Sequence, residues 1–282
     1  MADRDDQRGP REAPVPGGAS LPAWARLPFN RCNLPPVLLG GLGFQEAPEP
    51  LVLDGVFPFH DELFAMLDSL PGRAARAERF MNYMTVHFCL ETPEEAGATG
   101  RRHRTRADYT RMLRGWFFDS DSREGAVIKG WVESRFGLLT RFHRGRIEPG
   151  DDEAALAFAA ERARGVYATH ALDAQLDLLY AYGQYELGLG PRFLTLYRGV
   201  NTIGEYDLLS EGGTPVVLLN SMNSFTADIQ RASEFGDCVM EVRVPREKVF
   251  CTSGMLPGRL KGENEVMVIG GVYRVALRTW IP

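Results

Sequence analysis

The hydrophobic pattern of this chain changes at Gly190-Pro191, and that change limits the folds the chain can adopt. Before it, apolar residues recur every three or four positions in 59–70, 74–90 and 152–185, with a break near Gly165 in the last segment. This spacing is typical of amphipathic helices. After it come short β-branched or alternating runs, typical of strands, at 193–197, 216–219, 239–244, 266–269 and 272–280. The pattern predicts an α+β protein whose helical N-terminal half packs on a mainly antiparallel sheet.

Pattern and composition together predict three regions. Of the 282 residues, 44% are hydrophobic, which is enough for a sizeable core. Residues 1–20 are rich in proline, glycine and charge, so we expect a flexible tail there. A mainly helical region is expected at 21–189. A β region follows at 190–282, with a single helix at about 227–235.

Several classes of protein are disfavoured by the sequence. The longest uncharged apolar stretch, 33–45, has 13 residues, fewer than a membrane span needs. The acidic N-terminus lacks the apolar segment of a secretory signal, so we expect a cytoplasmic protein. The four cysteines show no Cys-x-x-Cys pair and no zinc-ligand spacing, so no metal site is predicted. A net charge of -5 argues against general nucleic-acid binding.

A basic segment at 101–114 is the local exception, with six arginines in 14 residues. A tryptophan and two phenylalanines follow at 116–118, and basic residues beside aromatic ones are found in proteins that bind single-stranded nucleic acid. Nearby carboxylates dilute the positive charge, so a solvated helix face is the ordinary explanation. A docking patch for an acidic protein partner is the third alternative.

Two glutamates separated by one residue, Glu263 and Glu265, stand at the start of a predicted strand. If the strand includes both, the alternation of side chains places them on one side, roughly 6 to 7 Å apart. Paired carboxylates suit glycosyl transfer, in which one stabilises an oxocarbenium-like transition state and the other handles the nucleophile. An exposed strand edge with alternating charges would give the same pattern.

Two further segments carry polar groups beside predicted strands. Arg198 precedes Gly199 at a strand end, where a guanidinium would hold a phosphate bidentately and the missing side chain would let a ligand approach. An ordinary surface arginine is the alternative. Ser224-Phe225-Thr226 follows the strand predicted near 216–220 and precedes the predicted helix. Strand, hydroxyl groups, helix, strand and Glu-x-Glu therefore follow one another in a fixed order.

The segments Tyr197-Arg198-Gly199, Ser224-Phe225-Thr226 and Glu263-Asn264-Glu265 together resemble the arginine, serine and Glu-x-Glu motifs of arginine-specific mono-ADP-ribosyltransferases. These motifs cover the last third of the chain. The segments 30–36, 196–207 and 219–226 are also similar to the branch of this family that modifies a nitrogenase component. With them, the resemblance extends from about residue 20 onward.

The serine motif departs from the family pattern, which is usually Ser-Thr-Ser. Phe225 and Thr226 replace its second and third residues, and Ser221 is a competing candidate for the serine. Spacing back from Ala232 and Phe235 in the following predicted helix selects Ser224.

The resemblance implies that NAD+ is a substrate, cleaved between nicotinamide and ribose, and that no cofactor is tightly bound. Glu265 would stabilise the oxocarbenium ion, and Ser224 would orient Glu265. Glu263 would bind the guanidinium of the acceptor arginine and help to remove its proton. The 190–282 region would be the NAD-binding core. The NAD-binding residues implied are Arg198, which would clamp the diphosphate, and Tyr197, Gly199, Thr226 and Phe235.

Two protein partners are also implied by the resemblance. The acceptor would be an arginine of dinitrogenase reductase, the iron protein of nitrogenase, and the activator would be a P-II family nitrogen-signal protein. The helical region would recognise the protein substrate, with the 101–114 segment as a docking hypothesis. Two alternatives remain: an NAD glycohydrolase, which has less need of Glu263, and a non-catalytic NAD-sensing module.

Overall fold

A computed structural model of the chain describes residues 18–92, 94, 107–167, 169–210, 213–260 and 264–279. Helices occupy most of the part before residue 190, and a six-stranded antiparallel sheet occupies the part after it. The α+β prediction is therefore confirmed. Most of the predicted tail, residues 1–17, lies outside the described residues.

Nine α-helices precede the sheet in the part of the chain that the structure describes. They are α1 (Pro36–Leu39), α2 (Leu42–Glu46), α3 (Val56–Phe59), α4 (Asp61–Asp68), α5 (Arg73–His87), α6 (Tyr109–Phe118), α7 (Arg123–Phe136), α8 (Asp152–Val166) and α9 (Leu172–Gly188). Helices α6 and α7 begin after Asp108 and Ser122, whose side-chain oxygens accept backbone N–H bonds of the first turn. None of these described helices is both long and apolar enough to span a bilayer.

The predicted helices are confirmed with ends that differ by at most three residues. The helix predicted at 59–70 is α4, and the one predicted at 74–90 is α5. The segment 152–185 forms α8 and α9, and α8 ends at Val166, beside the predicted break. Helical periodicity locates such elements well because their buried faces are fixed by packing, whereas helix ends depend on local caps.

Six strands form the sheet, and a short helix connects two of them. The strands are β1 (Phe193–Val200), β2 (Asp207–Leu208), β3 (Val216–Thr226), β4 (Cys238–Pro245), β5 (Val249–Thr252) and β6 (Glu265–Thr279), and helix α10 (Ile229–Ser233) joins β3 to β4. Their order is β2-β3-β1-β4-β6-β5, and β3 also pairs with β6. Strands β1, β3, β6 and β4 therefore form a closed ring of antiparallel pairs.

Strands β1, β3 and β6 are longer than the sequence predicts. Strand β1 runs past 197 to Val200, so Arg198 lies within the strand and not at its end. Strand β3 continues past 219 to Thr226 because its polar residues find partners: Asn220 accepts the backbone N–H of Arg141 at 2.8 Å, and Ser221 Oγ bonds Thr140 Oγ1 at 3.0 Å. Strand β6 joins the two predicted strands at 266–269 and 272–280. Gly271 has φ 114°, and it lies where the β3 pairing shifts register, so the ladder passes through the bulge. The predicted helix at 227–235 is the shorter α10.

The helical and β regions contribute to one hydrophobic core. Trp131 of α7 and Leu179 of α9 belong to the same buried cluster as Phe250 of β5 and Met267 of β6. A second cluster is formed largely by the strands themselves, with Leu196 among its members. Helix α7 packs against β3, and α9 packs against β5. The helices therefore hold the sheet that carries the motif residues, and the division at residue 190 stays a prediction.

Candidate active site

A cleft of about 580 Å³ opens between the C-terminal end of α6 and strands β1, β3 and β6. Seven of the predicted site residues line it: Tyr197, Arg198, Gly199, Ser224, Thr226, Phe235 and Glu265. The eighth, Glu263, lies outside the described residues. Residues that are up to 68 positions apart in the sequence are thus brought to one concave surface.

Strand register explains how the serine and the glutamate meet. In the β3–β6 ladder Thr226 lies opposite Glu265, and Ser224 lies opposite Met267. Ser224 and Glu265 are therefore diagonal neighbours on one face of the sheet, a separation that longer side chains can bridge. On the other side of β3, Tyr197 of β1 lies opposite Thr226, which brings the next residue, Arg198, close to the same site.

The Glu265 carboxyl group is partly buried and hydrogen-bonded. Ser224 Oγ donates to Glu265 Oε1 at 2.5 Å, and the indole Nε1 of Trp116 donates to both of these oxygens at 3.1 Å. Burial raises the pKa of Glu265, while the bonds from Ser224 and Trp116 and the positive charge of Arg198 oppose this rise. The site therefore holds a carboxylate that is partly desolvated and aimed by two donors.

Of the two candidate serines, Ser224 contacts Glu265, and Ser221 does not take that place. Ser221 is 1% exposed, and its hydroxyl bonds Thr140 on the loop after α7. The prediction that the serine motif follows a strand is wrong, because residues 224–226 lie within β3. Polar residues in this strand hide its continuation from a pattern based on hydrophobicity.

The strand argument for the two glutamates is also wrong in its starting point. Strand β6 begins at Glu265, and Asn264 has φ 56°, which is left-handed backbone and not extended. Simple alternation along one strand therefore does not fix the position of Glu263 relative to Glu265. Its assigned role stays a prediction.

The Arg198 guanidinium is held at the cleft by two contacts. Its Nη1 donates to the carbonyl of Ser224 at 2.8 Å, and its Nε donates to Tyr206 Oη at 3.1 Å. A guanidinium has five N–H donors, so these bonds fix its plane and leave donors for an anionic ligand. Tyr206 also lines the cleft and was not predicted as a site residue.

Gly199 allows helix α10 to approach β1. A Cβ at this position would lie 2.1 Å from the carbonyl oxygen of Ala232. The sequence suggests that the glycine admits a ligand, but the space of the missing side chain is filled by α10. Thr226 stabilises the turn from β3 into α10. Its Oγ1 accepts the backbone N–H of Asp228, just before α10, at 3.1 Å.

The cleft rim carries exposed aromatic side chains from two different elements. Phe235, just after α10, is 64% exposed, and the Arg231 guanidinium lies 5.3 Å from its ring centre. Phe118, the last residue of α6, is 92% exposed. Large exposed aromatic rings at the mouth of a polar cleft are suited to contact a ligand or a protein surface.

The wall formed by residues 116–120 was not predicted as part of the site. Sequence reasoning groups its aromatic residues with the basic segment. The available signal was the helical spacing of Tyr109, Met112, Leu113 and Trp116, which places Trp116 on the buried face of α6. That spacing predicts burial, but it does not predict the partner of the indole N–H.

The basic segment at 101–114 is described only in its last part, since residues 101–106 lie outside the described residues. Arg111 is exposed and pairs with Glu124 at 3.3 Å. Arg114 Nη2 donates to Thr110 Oγ1 at 3.2 Å, one helical turn earlier. These two arginines therefore form a solvated face of α6, as the ordinary explanation expects.

A second cavity, of about 520 Å³, adjoins the cleft behind Trp116, Arg198 and Ser224. Lys129 of α7 lines it and donates to Asp121 Oδ1 at 2.7 Å and to the carbonyl of Phe142 at 3.0 Å. Burial lowers the pKa of Lys129, and the bond to Asp121 opposes this fall. Polar and charged side chains thus continue from the cleft toward α7.

Comparison with known proteins identifies a family. The family model for dinitrogenase reductase ADP-ribosyltransferase matches residues 29–277. The NAD(+)–dinitrogen-reductase ADP-D-ribosyltransferase of Rhodospirillum rubrum is 37% identical over 259 residues, which cover 87% of this chain and 93% of that protein. No solved structure matches the chain significantly. These matches show that the chain belongs to the dinitrogenase reductase ADP-ribosyltransferase family.

Proposed function

We propose that this protein transfers ADP-ribose from NAD+ to an arginine side chain of dinitrogenase reductase, releases nicotinamide, and thereby inactivates nitrogen fixation. The observation that carries the proposal is the meeting of Glu265, Ser224 and Arg198 in one cleft. The family match and the name of the Rhodospirillum rubrum relative support the choice of donor and acceptor.

The chemistry depends on charge that develops at the ribose. Nicotinamide leaves with the electron pair of its bond to the ribose and becomes neutral, so the ribose gains oxocarbenium character. A preorganised carboxylate beside that ring stabilises the transition state more than the ground state. Glu265 is the proposed stabilising group, and Ser224 keeps its carboxylate in place through the 2.5 Å hydrogen bond.

The diphosphate of NAD+ needs a cationic anchor, for which we assign Arg198. Its contacts with the Ser224 carbonyl and Tyr206 fix the guanidinium on the same strand pair that carries the catalytic serine. Tyr197, Gly199, Thr226 and Phe235 line the same cleft and complete the proposed NAD-binding surface. Arg198 and Glu265 thus bind opposite charges of one substrate, which orients the breaking bond between them.

The acceptor is a guanidinium group, which must lose a proton when its nitrogen bonds to the ribose carbon. Its pKa is above 12 in water, so an acceptor-facing carboxylate is mechanistically needed. We assign this role to Glu263, two residues before Glu265.

The resemblance described above adds a P-II family protein as activator. A cytoplasmic location is also proposed, in keeping with the four free thiols of this chain.

The test is incubation of the protein with NAD+ labelled in the adenylate part and with purified dinitrogenase reductase. We expect labelled dinitrogenase reductase, and mass spectrometry of its peptides should place the added mass on one arginine. Free ADP-ribose with an unlabelled acceptor would instead identify an NAD glycohydrolase. Binding of NAD+ without release of nicotinamide would identify a non-catalytic module and overturn the proposal.

A further inference from the structure

Trp116 joins the helical region to the catalytic carboxylate. It belongs to α6, outside all three sequence motifs, and it is 2% exposed. We propose that Trp116 is a positioning residue, whose indole N–H holds Glu265 as a correctly oriented carboxylate. The proposal rests on the function assigned to Glu265 above.

The hydrogen-bond geometry favours the ionised form of Glu265. An indole N–H is only a donor, so both oxygens that lie 3.1 Å from Trp116 Nε1 must accept from it. Glu265 Oε1 therefore accepts two bonds, one from Ser224 Oγ and one from Trp116. Donors of this kind bind a carboxylate more strongly than a neutral carboxyl group.

The same geometry fixes the direction of the carboxylate. Both of these bonds fall on Oε1, so they hold that oxygen in place and leave the acceptor capacity of Oε2 to other partners, such as a ribose hydroxyl. Ser224 alone would leave the carboxylate free to swing about a single bond. A second donor at 3.1 Å, on a separate element, restricts that motion.

The position of Trp116 is itself well determined. Its helix begins after Asp108, whose side chain accepts the backbone N–H of Arg111 at 2.8 Å, and Met112 and Leu113 are buried in the core. The Tyr109 backbone N–H donates to Gln175 Oε1 of α9 at 3.0 Å. The ammonium of Lys129 lies 5.8 Å from the Trp116 ring centre. The helical region therefore dictates where the indole N–H points.

A purely structural role is the alternative, since a buried indole N–H needs an acceptor wherever it lies. Trp131 of α7 provides a matched case. It is 1% exposed, and its Nε1 donates to Asp177 Oδ1 at 2.7 Å, away from the residues that line the cleft. Replacing either tryptophan with phenylalanine removes one indole N–H bond to a carboxylate, but only Trp116 contacts Glu265.

The experiment compares Trp116→Phe with Trp131→Phe in the full chain. We expect kcat for nicotinamide release to fall about 10- to 100-fold in Trp116→Phe, the usual effect of losing one bond to a charged group, with a small change in KM for NAD+. The acid limb of its kcat profile should move to higher pH, because Glu265 loses a bond that favours the carboxylate. Trp131→Phe should lose comparable thermal stability and keep the wild-type kcat and acid limb.

A spectroscopic measurement on the wild-type protein keeps the proposal testable if the variants unfold or if the function of Glu265 is assigned wrongly. The indole proton resonance of Trp116 should titrate with one ionisation, and that step should vanish in Glu265→Gln. An unchanged acid limb in folded Trp116→Phe, or a Trp116 resonance that ignores the Glu265 ionisation, would overturn the positioning role. Absence of nicotinamide release by the wild-type protein, with this titration intact, would instead refute the proposed function alone.

Discussion

The two walls of the cleft are built differently. On the sheet wall, Arg198, Ser224 and Glu265 are partly buried and bonded to one another, and strand pairing holds them in place. On the helical wall, Trp116 is buried against that cluster, whereas Phe118 two residues later is 92% exposed. The sheet wall therefore holds charged groups in fixed positions. The helical wall combines a buried residue that supports them, Trp116, with an exposed aromatic ring, Phe118.

This difference suggests a division of work between the walls. A small substrate such as NAD+ needs fixed charges at known separations, which antiparallel strands provide through their register. A protein substrate needs exposed groups that are buried only on contact, which the end of α6 provides. Trp116 links the two, because displacing α6 would withdraw a donor from Glu265.

The largest effect should come from Glu265→Gln on the sheet wall. The substitution keeps the shape and an acceptor oxygen but removes the negative charge that, under the proposed function, meets the oxocarbenium ion. We expect kcat to fall by about 10²- to 10³-fold or more, with NAD+ binding retained. Nicotinamide release under saturating NAD+ measures this effect.

Glu241→Gln is the matched control for that change. Glu241 lies on β4 and pairs with Arg278 at 3.0 Å, in a part of the sheet that does not line the cleft. Its replacement should leave kcat within a factor of two or so, as for an ordinary surface ion pair. Equal losses in the two variants would show that the sheet wall lacks a specific catalytic charge.

A pH profile should show the next effect, because burial raises the pKa of Glu265. Under the proposed function activity needs the carboxylate, so the acid limb of kcat should lie at higher pH than for an ordinary glutamate. The raised pKa also affects the free energy of unfolding. The folded state binds the Glu265 proton more tightly than the unfolded state does. Stability of the wild type should therefore fall as pH rises through the interval between the unfolded and folded pKa values.

Glu265→Gln removes this linkage and provides the comparison. The melting temperatures of the two proteins, measured across the acid range, should converge below the ordinary glutamate pKa. Above it they should diverge, with the variant melting at the higher temperature. A wild type that melts at the higher temperature at neutral pH would contradict the cost of burying this charge.

The sheet wall was predictable because its residues form local patterns. Arginine before glycine, a serine before a helix, and Glu265 before a hydrophobic run each fall within a few positions. The strand periodicity also placed them near strands. The pairing of Ser224 with Glu265 follows once β3 and β6 are adjacent and in register, which hydrophobic alternation alone does not specify past the polar residues of β3.

The helical wall was not predictable for a physical reason. Helical spacing shows that Trp116 is buried, but its contact with Glu265 joins positions 149 apart and depends on how α6 packs. The packing role of Gly199 was not predictable for the same reason. The Ala232 carbonyl occupies the space where a side chain at 199 would lie, and it does so only in the folded protein. Such contacts arise from tertiary packing and leave no local pattern.

Gly199→Ala should produce a smaller effect on the sheet wall than loss of the charge. The added methyl group would meet the Ala232 carbonyl at 2.1 Å, so α10 must shift away from β1. We expect a destabilisation of about 1 to 3 kcal/mol and a raised KM for NAD+, because α10 borders the cleft. Thermal melts and NAD+ saturation curves measure the two. Gly190→Ala, where the nearest atom to a new Cβ is 3.6 Å away, is the control and should be nearly neutral.

Exposed aromatic rings on the two sides of the cleft allow a direct contrast. Phe118→Ser, on the helical wall, should raise KM for the protein acceptor by about two- to fivefold and leave KM for NAD+ unchanged, the effect expected if this exposed ring contacts the guanidinium of the acceptor arginine. Phe235→Ser, beside α10, should do the reverse. If both variants changed only KM for NAD+, the helical wall would have no special part in acceptor binding.

The smallest change in NAD+ chemistry is expected for Arg111→Glu combined with Arg114→Glu. Both residues lie on the solvated face of α6, and Arg111 makes an exposed ion pair, so stability should change by less than about 1 kcal/mol.

If this face docks an acidic partner surface, transfer to the protein acceptor should slow most at low salt, where screening is weakest, while nicotinamide release without acceptor stays constant. Measuring both rates at two ionic strengths separates docking from catalysis. Transfer kinetics equal to wild type at low salt would remove these two arginines from the docking hypothesis and confine acceptor recognition to the cleft rim.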